Sequence, residues 1–167
     1  QGALLNSEYF FKKHNLDCFI VYLPKNIVSG DFYYMTTLAD EKTESNPPFI
    51  IVTADCTGHG VPGAFMSLIG IMLLDEIISQ RKITQPDAIL NRLRSKIINI
   101  LNPEGHTELT RDGMDMILCK FDLKKMQVEF SAAIRPLYLL RKGEISKYEA
   151  DRMPIGVHGG AERPFRN

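Results

Sequence analysis

The order of apolar and polar positions along the chain predicts strands first, then two helices, then strands again. Short β-rich or aromatic runs occupy positions 19–23 and 31–38, and an apolar run follows at 49–54. Tight polar turns separate four later apolar runs, at 114–121, 127–133, 137–140 and 145–148. Because the helices do not alternate with strands, this order predicts an antiparallel α+β layered domain and argues against a parallel doubly wound sheet.

Two central stretches have helical character. Positions 61–80 are apolar on nearly every side, which is typical of a buried helix. A second helix is predicted to start at Thr84 as the N-cap, with Pro86 and Asp87 in its first turn. Its apolar stripe follows helical spacing and consists of Leu90, Leu93, Ile97, Ile100 and Leu101.

Composition narrows the class of protein. The 167 residues fit one domain, and 20 basic residues balance 20 acidic ones, so no net charge favours nucleic acid or a membrane surface. Cys18, Cys56 and Cys119 are widely separated and odd in number, which favours a reducing compartment over a disulfide framework or a zinc site. The longest apolar run, 64–74, is shorter than the about 20 residues that cross a bilayer. We therefore expect a soluble, cytoplasmic domain, which would also fit the cytoplasmic part of a larger membrane-linked sensor.

The first residues have a different character from the rest. Positions 1–13 resemble the end of a helix that begins without a cap or a methionine. We expect them to be the tail of an upstream linker or regulatory helix, and positions 14–167 to form the domain itself.

Two aspartates are candidate metal ligands. Asp55 follows the apolar run 49–54 and precedes a glycine-rich turn, and Asp31 follows Gly30 at the start of another predicted strand. Hard divalent cations need oxygen ligands held in this way, and glycine lets a cation approach the backbone closely. Two such carboxylates could hold a pair of Mg²⁺ or Mn²⁺ ions about 3.5–4 Å apart, which would activate a water. The alternative is that both are turn carboxylates that accept backbone hydrogen bonds.

Other residues are weaker candidates. Gly58, His59 and Gly60 could form a phosphate cradle at a helix N-terminus with His59 as a general acid, but a structural turn is the favoured interpretation. Asp115 interrupts an otherwise apolar strand, and Arg135 either binds phosphate or marks a strand edge, of which the edge is favoured. The sequence contains no Ser-His-Asp order, Walker loop or dinucleotide fingerprint.

These segments, taken together, resemble the SpoIIE-like (RsbU-like) branch of the bacterial PPM-type serine/threonine phosphatases. The resemblance rests on Val-Ser-Gly-Asp-Phe-Tyr at 28–33, Ala-Asp-Cys-Thr-Gly-His-Gly-Val-Pro-Gly-Ala at 54–64, Asp-Gly-Met-Asp-Met at 112–116 and Pro-Ile-Gly at 154–156. It implies an αββα sandwich of two antiparallel sheets flanked by helices. It also implies a centre of two Mn²⁺ or Mg²⁺ ions, in which Asp55 bridges both ions and Asp31 and the Cys56 carbonyl are further ligands. A metal-activated water would then hydrolyse phosphoserine or phosphothreonine directly.

The resemblance also carries expectations about partners. Members of the branch act on phosphorylated proteins, typically anti-anti-sigma (STAS) proteins, and follow a sensor or regulatory domain; a homodimer is a further option, and nucleic acid is not expected. The family pattern continues with a Ser/Thr-Asp-Gly strand and a final helix, and the sequence given stops at Asn167 before them. We therefore expect a domain that is incomplete at its C-terminus. A catalytically silent phosphatase-like module that binds or dimerises regulatory partners is the alternative function.

Overall fold

The computed structural model describes residues 7–24, 27–38, 46–103, 112–159 and 163–167. The first part of the predicted helix tail and most of the predicted loop at 40–48 lie outside the described residues. The elements are α1 (Ser7–Lys13), β1 (Phe32–Thr37), β2 (Phe49–Cys56), α2 (Gly60–Asp75), α3 (Pro86–Leu101), β3 (Gly113–Asp122), β4 (Gln127–Ala133), β5 (Leu137–Arg141), β6 (Glu144–Tyr148) and β7 (Ile155–Gly156).

The strands form two antiparallel sheets. The larger sheet has five strands in the order β1-β2-β3-β4, with β7 also paired to β3, and the smaller one contains β5 and β6. In the larger sheet Phe32 lies opposite Ala54, and Asp55 lies opposite Asp115. The prediction of an antiparallel α+β domain with flanking helices is therefore confirmed.

The hydrophobic core lies between the larger sheet and helices α2 and α3. Alternate residues of β2, namely Ile50, Val52, Ala54 and Cys56, are buried toward these helices, as the two-residue period of a strand requires. The intervening residues Ile51, Thr53 and Asp55 face the opposite side, where they are partly or fully exposed. The sheet thus has one face packed on helices and a second face available to carry polar chemistry.

Helix α2 confirms the prediction of a helix at 61–80. It continues through a π-helical turn at Glu76–Gln80, so that 21 residues from Gly60 to Gln80 form one helical segment with a mean hydropathy of 1.8. Among the described residues it is the one helix that is long and apolar enough to span a membrane. Buried helices in the cores of soluble proteins have the same length and composition. Here Met66, Leu74 and Ile77 are buried against the sheet.

Two local predictions differ from the structure, and one short strand was not predicted. The run at 19–23 belongs to no strand among the described residues. The N-cap of α3 is Gln85 instead of Thr84, one residue before the fixed φ of Pro86. Ile155–Gly156, outside every predicted strand, forms β7, because Gly113 and Gly156 let the two backbones approach closely.

The first testable prediction concerns this core. Leu74 is fully buried in α2, so Leu74→Ala should lower the free energy of unfolding by about 2–5 kcal/mol, through lost burial and the cavity left behind. Met72, two residues earlier, is 63% exposed, and Met72→Ala should change stability by less than about 0.5 kcal/mol. Urea denaturation of both variants measures the difference. Equal losses would show that α2 does not pack on the sheet by the face described here.

Candidate metal centre

Three aspartates form a row across one end of the larger sheet. Asp55 and Asp115 are directly opposite each other in the β2–β3 ladder. Asp31 comes one residue before Phe32, which pairs with Ala54, so Asp31 continues the same row beside Asp55. Neighbouring strands lie about 4.8 Å apart, so three carboxylates on adjacent strands are within reach of one another. The row lies on the sheet face away from the helices.

The chain turns sharply after β2 to start helix α2. Gly58 and Gly60 have φ values of 88° and 64°, a region that glycine enters without steric cost. Thr57 fixes this turn to the start of β3, because its N–H donates to the Gly113 carbonyl (2.9 Å) and its hydroxyl accepts from the Gly113 N–H (3.2 Å). His59 is the N-cap residue of α2, is exposed, and makes no side-chain capping hydrogen bond. The turn thus has the conformation that the sequence predicted, with His59 at its outside.

Three backbone segments cross tightly beneath this turn. A Cβ on Gly30 would lie 2.9 Å from the Gly58 oxygen and 3.4 Å from the Cys56 oxygen. A Cβ on Gly63 would lie 2.7 Å from the Gly58 oxygen and 3.0 Å from the Gly30 Cα. The carbonyl groups of Cys56 and Gly58 therefore face the residue that precedes Asp31. This crossing brings a backbone oxygen donor next to two carboxylates.

Side-chain hydrogen bonds hold the segment that carries Asp31. The Asp31 N–H donates to the Ser29 hydroxyl (3.0 Å), and the Ser67 hydroxyl of α2 donates to the Ser29 carbonyl (3.2 Å). The Tyr22 hydroxyl donates to the Asp31 carbonyl (3.0 Å). Ser67 is almost completely buried in an otherwise apolar helix. These contacts fix the Asp31 backbone, and a serine within the apolar run 64–74 was the sequence signal for them.

Arg135 pairs with two of the three aspartates. Its guanidinium group forms a close ion pair with Asp55 and a second one with Asp115, where Nε lies 3.3 Å from Oδ2. Arg135 follows β4, an edge strand of the larger sheet, as the edge interpretation expected, and its side chain extends back over the sheet end to the two aspartates.

The backbone before Arg135 has an uncommon conformation. Ile134 has a φ of 68°, a region that β-branched residues rarely adopt. The Arg135 N–H donates to the Ala133 carbonyl (2.8 Å), which closes a three-residue γ-turn around Ile134. The Ile134 N–H donates to the Asp151 carbonyl (2.9 Å). Strained residues of this kind persist where the surrounding structure holds them, and they cluster at functional sites.

The electrostatics of the row reflect crowded negative charge. Burial raises the pKa of Asp31 above its ordinary value. The negative charge of Asp55 and a hydrogen bond to the Asp55 carboxyl group raise this pKa further, and the charge of Arg135 lowers it in part. Burial also raises the pKa of Asp115, which Arg135 lowers and Asp55 raises. A nearby cation would offset the repulsion within the row and favour the charged form of these carboxyl groups.

The thiol of Cys56 has no role as a nucleophile here. Burial raises its pKa to about 12, and the charges of Asp31 and Asp55 add to this effect, so the thiol stays protonated at neutral pH. Cys119 has a pKa raised to about 12 by burial alone. Cys56 can contribute to a cation site only through its backbone carbonyl.

The donor set fits a hard divalent cation. Asp31, Asp55 and the Cys56 carbonyl supply only oxygen atoms, which Mg²⁺ and Mn²⁺ prefer, and such ions commonly keep several waters as further ligands. In the part of the chain that the structure describes, no three His, Cys, Asp or Glu side chains converge into a complete cation-binding group. The Arg135 guanidinium lies against both Asp55 and Asp115.

A cavity of about 610 Å³ opens beside the row of aspartates. Asp31, Asp55, Asp115 and Arg135 line one end of it. Apolar side chains line the remainder. They come from the sheet and from the segment 18–23, and they include Phe19, Val21, Met35, Ile51 and Ile117. The carboxylates are thus accessible from a sizeable concave surface.

The structure brings together most of the residues that the sequence singled out. Asp31, Asp55 and the Cys56 carbonyl meet at one end of the sheet, with Asp115 opposite Asp55, and Gly58 and His59 in the adjoining turn. Their roles as metal ligands or catalytic groups stay predictions. Sequence reasoning missed the supporting residues Ser29, Ser67, Thr57 and Tyr22 and the ion pairs of Arg135.

Comparisons with known proteins agree with this description. The family model described as Stage II sporulation protein E (SpoIIE) matches residues 46–166, a range that includes Asp55, Cys56 and Asp115. The solved structure of the "SiaA-PP2C domain of Pseudomonas aeruginosa" superposes with a TM-score of 0.76 at 27% sequence identity. That comparison covers 99% of this chain and 60% of the other, so the chain spans about three fifths of the length of that domain. The comparison with curated proteins gave no match.

Antiparallel sheets, flanking helices and an acidic row at the end of the larger sheet define a PP2C-type phosphatase domain. Within that class, the chain belongs to the SpoIIE family, whose model covers well over half of it.

Proposed function

We propose that the chain is a metal-dependent serine/threonine protein phosphatase domain of a bacterial signalling regulator. The observation that carries this proposal is the alignment of Asp31 and Asp55 on adjacent strands, with the Cys56 carbonyl beside them, in a chain of the SpoIIE family. The concave surface at the same end of the sheet would admit a phosphorylated side chain of a partner protein.

The residues of this chain would hold the cations and orient the substrate. Asp55, the second-to-last residue of β2, and Asp31, whose backbone is held by Ser29 and Tyr22, are the proposed ligands, together with the Cys56 carbonyl. Bound Mn²⁺ or Mg²⁺ ions would supply a Lewis acid that activates water and neutralises the charge of the phosphoryl group. The Thr57–Gly113 hydrogen bonds would keep the turn rigid, so that the ligands are preorganised.

The same proposal extends to partners and compartment. We infer a phosphorylated protein substrate, of which a STAS-type anti-anti-sigma protein is the candidate suggested by the resemblance, and regulation by an upstream domain in a cytoplasmic assembly. Balanced charge supports a protein substrate over nucleic acid.

One observation favours the second candidate, a catalytically silent phosphatase-like module. In the described residues Arg135 already forms ion pairs with Asp55 and Asp115, and no complete group of metal-binding side chains is formed. A module that used these ion pairs only to stabilise its fold would bind partners without hydrolysis.

Hydrolysis of a phosphoserine peptide by the full-length protein with Mn²⁺ separates the two functions. Asp31→Asn should reduce the rate by about 100-fold or more, since it removes a charge that the cations need. Glu144→Gln, the same change on an exposed residue of β6, should leave the rate unchanged. If the folded wild-type protein shows no Mn²⁺-dependent release of phosphate, the silent module is the correct function.

A further inference from the structure

Arg135 occupies the place where a cation is expected. Its guanidinium contacts Oδ2 of Asp55 and Oδ2 of Asp115, two residues that lie opposite each other on neighbouring strands. A guanidinium and a divalent cation both satisfy carboxylate oxygens, but these oxygens cannot be close to both ions without strong repulsion between the two positive charges.

The Arg135 side chain is free to leave this position. It is 54% exposed, and the ion pairs that hold it are themselves partly open to water, where such pairs contribute little free energy. Its backbone, in contrast, is held by the γ-turn around Ile134 and by the hydrogen bond to Asp151. A fixed backbone with a releasable side chain keeps the guanidinium at the mouth of the cavity whichever partner it binds.

We propose that Arg135 is an exchangeable counter-ion: it pairs with Asp55 and Asp115 and offsets part of their charge in the metal-free protein, and when a divalent cation displaces it, it binds the phosphoryl group of the substrate. The planar guanidinium presents parallel N–H donors that fit phosphate oxygens as well as carboxylate oxygens. The residue thus couples occupation of the metal site to affinity for phosphate. This inference rests on the proposed function for the identity of the cation and of the substrate group.

Two binding measurements on the full-length protein test the exchange without reference to turnover. In calorimetry, Arg135→Gln should bind Mn²⁺ about two- to fivefold more tightly than wild type, because no ion pair has to be broken. With Mn²⁺ bound, the variant should bind inorganic phosphate at least about tenfold more weakly. Phosphate binding is measured by the broadening that the bound Mn²⁺ causes in the phosphorus NMR resonance.

Two further variants serve as controls. Arg135→Lys keeps the charge without the planar fork, so it should bind Mn²⁺ as wild type does and bind phosphate with intermediate affinity. Arg81 also forms a partly exposed ion pair, with Glu76, but it follows the far end of the helical segment that starts at Gly60. Arg81→Gln should change neither affinity.

Tighter Mn²⁺ binding together with weaker phosphate binding supports the exchange. Unchanged or weaker Mn²⁺ binding by Arg135→Gln overturns it, and so does unchanged affinity for phosphate. If both affinities shift as expected while wild type hydrolyses no phosphopeptide, the proposed function fails and the exchange stands. If wild type hydrolyses the phosphopeptide but neither affinity changes in Arg135→Gln, the proposed function stands and the exchange fails.

Discussion

Asp55→Asn is expected to abolish measurable Mn²⁺ binding. Asp55 lies between Asp31 and Asp115 in the row. A cation bound to Asp55 is therefore within reach of either neighbouring carboxylate. The amide keeps the shape of the side chain but removes its charge and one acceptor oxygen, and hard cations bind a neutral amide far less strongly than a carboxylate. Isothermal titration of the full-length protein with Mn²⁺ measures the loss, which we expect to exceed about 100-fold in affinity.

The fold should survive this change, which makes the result interpretable. The Asp55 side chain is 51% exposed and faces away from the helix-packed core. Thermal unfolding in the presence of a chelator should therefore be cooperative for both proteins. Glu149→Gln, on an exposed residue that forms an ion pair with Lys147, is the matched control and should bind Mn²⁺ as wild type does. Wild-type affinity in Asp55→Asn would remove Asp55 from the metal site.

The sequence was sufficient for the parts of the site that depend on local order. Asp55 lies at the end of an apolar strand and precedes two glycines with positive φ, and Asp31 directly precedes the neighbouring strand. Each of these features is set by residues close in the chain, so apolar period and glycine placement singled out both aspartates. The family resemblance was needed to favour a shared metal site over two turn carboxylates. The antiparallel register then places Asp115 opposite Asp55, as its position within an apolar strand hinted.

The parts that sequence reasoning missed depend on contacts between distant residues. Arg135 and Asp55 are 80 residues apart in the sequence and form an ion pair in the fold. The residue before Arg135, Ile134, has the positive φ at which the chain turns toward the sheet end. Nothing in the local pattern distinguishes such an arginine from one at a strand edge. The two-residue strand β7 is likewise too short to have a period, and it exists because Gly113 and Gly156 allow the two backbones to meet.

The glycine crossing under the turn gives the second large effect, because it links helix α2 to both aspartates. Gly63→Ala should lower the free energy of unfolding by about 1–3 kcal/mol or more. Alanine is favoured over glycine in a helix by up to about 1 kcal/mol, so propensity alone would stabilise the protein. The added Cβ, however, would lie 2.7 Å from the Gly58 oxygen and 3.0 Å from the Gly30 Cα. Both neighbours are backbone atoms that cannot rotate away, so the steric cost exceeds the gain.

The same helix supplies the matched control. Gly70→Ala has the same gain in helix propensity, and its Cβ would meet the Phe32 ring, at 2.8 Å, and the Met114 methyl group, at 3.2 Å. Side-chain atoms can shift, so its cost in stability should be smaller and its Mn²⁺ affinity unchanged. Gly63→Ala should weaken Mn²⁺ binding as well, because the clash pushes the Cys56–Gly58 turn away from Asp31. Urea denaturation and Mn²⁺ titration of both variants test this, and a Gly63→Ala protein with wild-type stability would show that the crossing is looser than described. Weakened Mn²⁺ binding in Gly63→Ala alone would instead place the turn, and not just the carboxylates, among the determinants of the metal site.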